Sequence, residues 1–355
     1  MKKIFLFLFL IGWLTSCETE LTDFEASNQT NAIVVYGEVN NLSGPYHVRL
    51  NTTTAYDPYD VSEYLGKPIT NAQVKIVDGS GNIYDMAEVQ AGYYEASPMF
   101  KGLVGQKYQL KITTSDGKAI ESDLVELKAP AVFNKFDYTF VNAEKALDMK
   151  FNVTAEIQDP AATEDYYFIK RQDFIQFLTT CPEPPPPPAP VPICYSKCWR
   201  APFNSQPVLL KDFLVNGRNI PIPIGSVDYK DYTDWIIQLD IYSVSKTIYN
   251  YWQRLEDQRN VGGGIFDKIP AQIVGNLTCT SDPRQEVLGA FVVGGVNKQR
   301  LSIDRFTNIP TDAYQKMVAD IGIFDYRYSK LKLWDCQSAG WIEYNIGHNL
   351  PPLLQ

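Results

Sequence analysis

Histidine is nearly missing from this sequence: the two it has, His47 and His348, lie far apart and have no cysteine neighbours. A nucleophilic triad needs a base held by an orienting acid. His47 sits in Tyr46-His47-Val48, an alternating strand context, and His348 in the turn-like Gly347-His348-Asn349. The Gly-x-Ser-x-Gly elbow is also missing. The chain is therefore expected not to be an enzyme, although a carboxylate pair stays open in any protein this acidic. Basic charge is short: 32 Lys and Arg stand against 41 Asp and Glu, a net charge of −9. Such a surface repels nucleic acid and anionic membranes, so no nucleic-acid partner is expected. Cysteine is scarce, at six residues. Cys194-x-x-x-Cys198 has no second close pair to complete a four-ligand metal site. No metal and no cofactor are expected.

Long apolar runs are also missing. Met1-Lys2-Lys3 is followed by an apolar stretch from Ile4 to Leu14, short of the roughly 20 residues that cross a bilayer. It has the length of a signal-peptide core. It ends in Leu14-Thr15-Ser16-Cys17, which resembles the lipobox of bacterial lipoproteins. That resemblance implies a signal peptide over residues 1–16 and a diacylglycerol thioether on Cys17. Multiple acyl chains anchor a protein stably where one does so only marginally. Residues 17–30 then read as a lipidated tether opening Glu18-Thr19-Glu20. This acidic start resembles the export signal of Bacteroidota surface lipoproteins. It implies an outer-membrane location, lipid-anchored and facing the extracellular side.

With Cys17 assigned to lipid, Cys181, Cys194, Cys198, Cys279 and Cys336 remain as disulfide candidates. An oxidising periplasm favours bridges, and the odd number leaves one thiol over. Connectivity stays open. Asn-x-Thr triplets at Asn28, Asn51, Asn152 and Asn276 read as chance combinations of turn and strand residues.

The expected fold is mainly β: an N-terminal immunoglobulin/transthyretin-like β-sandwich over residues 31–128, then a second β-rich domain over 129–355 with one packed α-helix. In the first, Ile33–Val39, Val74–Val77, Gly92–Glu95 and Tyr108–Thr113 read as strands, with turns at Asp78-Gly79-Ser80-Gly81 and Asp116-Gly117. Their order resembles transthyretin-like and carboxypeptidase-regulatory sandwiches. A calcium loop starting at Asp78 would need Gly sixth and Glu twelfth, where Ile83 and Val89 stand. The hairpin reading is preferred. Ala129-Pro130 marks the boundary, since proline breaks ladder pairing.

In the second region Phe136–Phe140, Leu147–Val153 and Tyr166–Arg171 read as strands. A Cys-flanked polyproline insert, 181–198, reads as a stiff exposed loop that serves as a spacer or a contact arm. A helix is expected near 243–260. Ser243 or Ser245 caps it, Val244, Ile248, Tyr251, Trp252 and Leu255 share a face, and Gly262-Gly263-Gly264 follows. Val287–Val296 reads as a buried strand with a bend, and Arg300–Arg305 as its partner.

The run from Ile241-Tyr242-Ser243-Val244-Ser245 through Gly264-x-Phe266 and Gly275-Asn276 to Glu286-Val287-Leu288-Gly289-Ala290-Phe291 carries a wider resemblance, with Pro130 and Asp165-Tyr166-Tyr167. It resembles a family of Bacteroidota outer-membrane lipoproteins defined by a domain of unknown function. The resemblance implies a companion of SusC-like TonB-dependent receptors, acting as an accessory or ligand-capture subunit. It brings no catalytic residues. The alternative is a structural or adhesive surface lipoprotein with no part in transport.

Overall fold

The structure, a computed structural model, describes residues 32–54, 66–161, 163–178, 197–200, 206–212, 217–229, 234–260, 273–304, 309–321 and 343–344. Cys17, the tether, residues 181–196 of the polyproline insert with Cys181 and Cys194, the glycine run after the helix, His348 and Cys336 lie outside the described residues.

The protein is mainly β. Strands β1 (Ile33–Asn40), β2 (His47–Thr52), β3 (Lys67–Pro68), β4 (Gln73–Asp78), β5 (Ile83–Gln90), β6 (Tyr93–Ala96), β7 (Lys107–Thr113), β8 (Ala119–Ser122) and β9 (Val125–Glu126) make the first unit. Then come β10 (Val132–Val141), β11 (Lys150–Gln158), β12 (Tyr166–Leu178), β13 (Lys197–Arg200), β14 (Val208–Lys211), β15 (Asn219–Ile222), β16 (Ser226–Asp228) and β17 (Trp235–Val244). Helix α1 (Lys246–Arg259), β18 (Leu277–Cys279), β19 (Val287–Ile303), α2 (Thr311–Ile321) and β20 (Glu343–Tyr344) close the described chain. No described helix is long and apolar enough to cross a membrane.

One large sheet runs in the order β18-β8-β7-β4-β5-β6-β2-β1-β19-β17-β12-β13-β20, and a small second sheet runs β10-β11-β15 with β16 also on β11. Strands β1, β4 and β7 of the first unit alternate as half-buried strands must, burying every second residue along most of their length. The inward set, including Val35, Val48, Leu50, Ile76, Leu110 and Ile112, forms one core. Each such side chain is worth about 1.5–3 kcal/mol on burial.

Strand β19 joins the two units. Its first half pairs in parallel with β1, from Ile33↔Val287 to Asn40↔Gly294. Its second half pairs antiparallel with β17, from Ser243↔Gly295 to Trp235↔Ile303. The sequence reading of Val287–Val296 and Arg300–Arg305 as partner strands is thereby corrected. Val287–Ile303 is one continuous strand, because Asn297-Lys298-Gln299 supplies no turn and each residue from Gly295 to Ile303 finds its partner on β17. The first core, accordingly, is not made by residues 31–128 alone: Leu277, Cys279, Phe291 and Val293 complete it.

Strand β17 is buried on nearly its whole length, as a strand covered on both faces must be. Ile237, Leu239 and Ile241 face a second core shared with β11 and β15. Tyr242 and Val244 face a third, roofed by α1. Ser245, not Ser243, caps this helix: its side chain accepts from the Ile248 backbone N–H at 3.4 Å. Ile248, Tyr249 and Tyr251 are buried, with Trp252 and Leu255 packed beside them.

Two expectations shift locally. The strand expected from Leu147 starts only at Lys150. Residues Ala146–Asp148 form a 3-10 turn instead, which buries Ala146 and leaves Leu147 65% exposed. The Ala146 N–H donates to Asp320 of α2, so a helix not foreseen in the sequence sets the turn. Pro310 ahead of α2 and Asp312 in its first turn were the signals available.

Candidate functional site

The face of the large sheet that carries α1 turns polar beyond the helix. Register fixes the side chains: Lys170 opposes Asp240 and Phe168 opposes Tyr242 across β12 and β17, and Asp240 opposes Lys298 on β19. Tyr36 and Glu38 arrive on the same face from β1. The Lys170 ammonium lies 3.7 Å from Glu38 Oε2 and donates to the Tyr36 hydroxyl at 3.4 Å. It also stands 4.8 Å from the Tyr242 ring centroid and 5.5 Å from that of Phe168. The Tyr242 hydroxyl donates to Glu38 at 3.5 Å. Gln238 donates to Asp240 at 3.0 Å and accepts from Arg300 at 2.9 Å. Under α1, Phe168 stacks on Trp252 with ring centroids 4.5 Å apart.

Burial sets the electrostatics of this band. It pushes the Tyr36 and Tyr242 hydroxyls above their ordinary value. It also raises the Asp240 carboxyl, against the pull of Lys298 and Lys170. Burial pulls the Lys170 amine down, but Tyr36 and Glu38 more than offset this, so its proton is held more tightly than usual. The result is a fixed ammonium between aromatic faces and carboxylates. That combination suits a polar ligand with an apolar face.

Two further features lie on the opposite side of β12. A cavity of about 310 Å³ opens between Ile169 and Leu239 on one sheet and Pro223 and Ile224 near the other. Arg171 lines it, but its guanidinium is forked onto both Asp173 oxygens at 2.7 Å and donates to the Ile224 carbonyl. Its charge is already met, so the cavity wall is close to neutral. The second feature is a cluster of Asp159, Asp165 and Asp212, with one carboxylate oxygen of each within 4.8 Å of the others. Among the described residues it is the one grouping with metal-ligand geometry.

The loop at Asp78 is the hairpin the sequence suggested. Its carboxylate accepts from the Ser80 and Asn82 N–H groups at 2.9 Å, the Asn82 side chain at 2.8 Å and the Tyr84 hydroxyl at 3.2 Å. Protein donors occupy the oxygens a cation would use. His47 stacks on Tyr93 with centroids 5.0 Å apart. Cys198 lies on β13, paired through Phe177↔Cys198. Cys279, a disulfide candidate in the sequence, has a free thiol among the described residues. Strand β18 pairs with β8 and turns Cys279 into the first core, 5% exposed, with Sγ 3.5 Å from Ser281 Oγ.

Sequence reasoning used Asp165 and Tyr242 only as marks of the family resemblance and assembled neither the band nor the aspartate cluster. Lys170 and Tyr36 are 134 positions apart, and only the β1–β19–β17–β12 order unites them. Asp159-Pro160 and Lys211-Asp212 carry no spacing signature.

Residues 18–300 match the family described as a domain of unknown function, DUF4249, and the chain belongs to that family. None of the curated proteins compared matches it. Among solved structures the chain is similar to trypsin-activated alpha-2-macroglobulin from Escherichia coli, at 10% identity and a TM-score of 0.20. The match covers 61% of this chain and 15% of the macroglobulin, so the chain spans a small part of that protein's length.

Proposed function

We propose that the protein is a surface-exposed outer-membrane lipoprotein, held by a lipid on Cys17, that serves a SusC-like TonB-dependent receptor as accessory or ligand-capture subunit. The observation that carries this reading is Leu14-Thr15-Ser16-Cys17 followed directly by the family match, which begins at residue 18. The part shared with the family thus starts one residue after the cysteine that a lipobox would make the mature N-terminus. An acidic tether suits a protein held off the membrane surface. The Lys170–Glu38–Tyr36–Tyr242 band supplies fixed charge and rigid aromatic faces for capture.

The test is co-purification. The protein, tagged at its C-terminus, is extracted from membranes in mild detergent and its stoichiometric partners are identified by mass spectrometry. A TonB-dependent barrel at near-equal amount is the expected result. Recovery of the protein alone, or with envelope scaffolds, would replace this reading with the structural or adhesive one.

A further inference from the structure

Asp159 ends the β11 edge of the loop into β12, Asp165 ends that loop, and Asp212 follows β14. All three are buried, at 2%, 8% and 1% exposure. Their oxygens are treated unequally. Asp159 accepts from the Tyr167 hydroxyl at 2.9 Å and the Gly217 N–H at 3.0 Å. Asp165 accepts from Lys128 at 3.1 Å and from the Thr163 hydroxyl. Asp212 Oδ2 is buried and has no hydrogen-bond partner among the described residues. The neighbouring Glu164 takes no share, because its carboxylate is turned to Tyr166 and Lys246.

The charges do not balance. Lys128 neutralises one carboxylate, on Asp165. The other donors, Tyr167, Thr163 and Gly217, are neutral. Ionised, the cluster would keep two uncompensated negative charges out of water, a costly arrangement. The charged groups that weigh most on Asp212 are Asp159, Asp165 and Glu164, all of the same sign. A divalent cation would restore neutrality and give Asp212 Oδ2 its partner.

From this geometry we propose that Asp159, Asp165 and Asp212 form a binding site for a divalent cation, calcium in particular. Carboxylate oxygens alone select hard cations over soft ones. Oxygens on opposite sides of a calcium ion lie roughly 5 Å apart, from metal–oxygen distances of about 2.4 Å, and those here are within 4.8 Å of one another. The hydrogen bonds to Asp159 and Asp165 fix two ligands in place, as outer-shell partners do. The ion would tie together the start of β12, the end of β14 and the loop from β11, stapling the edge of the large sheet to the small one.

The experiment uses the purified full chain stripped with EDTA and titrated with CaCl2, MgCl2 or MnCl2, followed by thermal unfolding and calorimetry. Calcium should raise the melting temperature by several degrees, with half-saturation at roughly 0.1–1 mM, the range of extracellular calcium modules. Asp212→Asn should abolish that shift. In EDTA the same variant should melt no lower than the parent, because it removes a repelling buried charge. A second readout needs no variant: Tb3+ bound at the cluster should show luminescence sensitised by Tyr167, and Ca2+ should quench it by displacement. No shift with any of the three metals and no displaceable Tb3+ signal would overturn the site, leaving Asp212 as a proton-sharing acid. A response to Mg2+ or Mn2+ but not Ca2+ would overturn the assignment to calcium.

Discussion

Gly295 lies directly under the Ala129-Pro130 junction. A Cβ at position 295 would stand 2.3 Å from the Lys128 carbonyl oxygen and 2.5 Å from the Pro130 nitrogen. The chain passes from the first unit to the second across the point where β19 changes partner from β1 to β17. Glycine is required by close approach of two backbones, neither of which has a flexible end to yield. Gly295→Ala should therefore cost about 3 kcal/mol, at the upper end of overpacking effects, measured by urea unfolding. An unchanged midpoint would show that the junction is free to move away from β19.

Asn276 acts as a strand partner without a strand. Its side-chain amide donates to the Phe291 carbonyl and accepts from the Phe291 N–H, both at 2.9 Å and buried. Asn276→Ala strips the partners from both the buried N–H and the buried C=O of Phe291. The expected loss is roughly 2–4 kcal/mol by denaturant unfolding, because each buried polar group left unsatisfied costs about 1–3 kcal/mol.

Asp78 gives the first unit a defined acid response. The Asn82 side chain above all, with the Ser80 and Asn82 N–H groups and the Tyr84 hydroxyl, holds its carboxyl below the ordinary value against the opposing effect of burial. A depressed folded pKa contributes stability that is present above the unfolded value, about 3.9. That stability is lost as pH falls through the folded pKa. Asp78→Asn should accordingly melt below the parent at pH 7, and the gap should close as pH is lowered past about 3.9. A gap that persists in acid would assign the effect to shape, not charge.

The polar band offers a functional test. Lys170→Gln removes the ammonium between Phe168 and Tyr242, and Tyr36→Phe removes the hydroxyl that Lys170 reaches. Lys170 is a third exposed at its side chain, so the stability cost should stay near 1 kcal/mol. If the protein serves a receptor as proposed and the band captures ligand, uptake of that receptor's cargo should fall at least tenfold in Lys170→Gln, with the variant still folded and present at the parent's level. Unchanged uptake would remove the band from the capture surface.

Cys17→Ala tests the proposed lipid anchor. The variant should lose incorporation of labelled fatty acid and leave the membrane fraction. Retention in the outer membrane without label would require an anchor other than lipid.

Local pattern made much of the fold legible. Period-two burial in β1, β4 and β7, the Asp78 hairpin and the helix closed by Ser245 follow from residues close in sequence. The two halves of β19 were misread as partners because hydrophobic alternation marks a strand but not its neighbour. The 3-10 turn at Ala146–Asp148 escaped for a related reason: Asp320, which accepts from it, arrives from a distant helix. The free Cys279 follows from a pairing with β8 that cysteine spacing does not encode.

The sequence by itself determined that the protein is mainly β, that one helix packs on it, that its surface is acidic and that Asp78 belongs to a turn. These depend on side-chain period, capping and net charge, which act over a few residues or need no geometry at all. Only the tertiary structure decided that β19 joins both units, that Lys170 meets Glu38 and Tyr36, and that Asp159, Asp165 and Asp212 share one buried point. Those relationships are set by which strands become neighbours. That choice minimises exposed apolar surface across the whole chain, and no short stretch of it records the outcome.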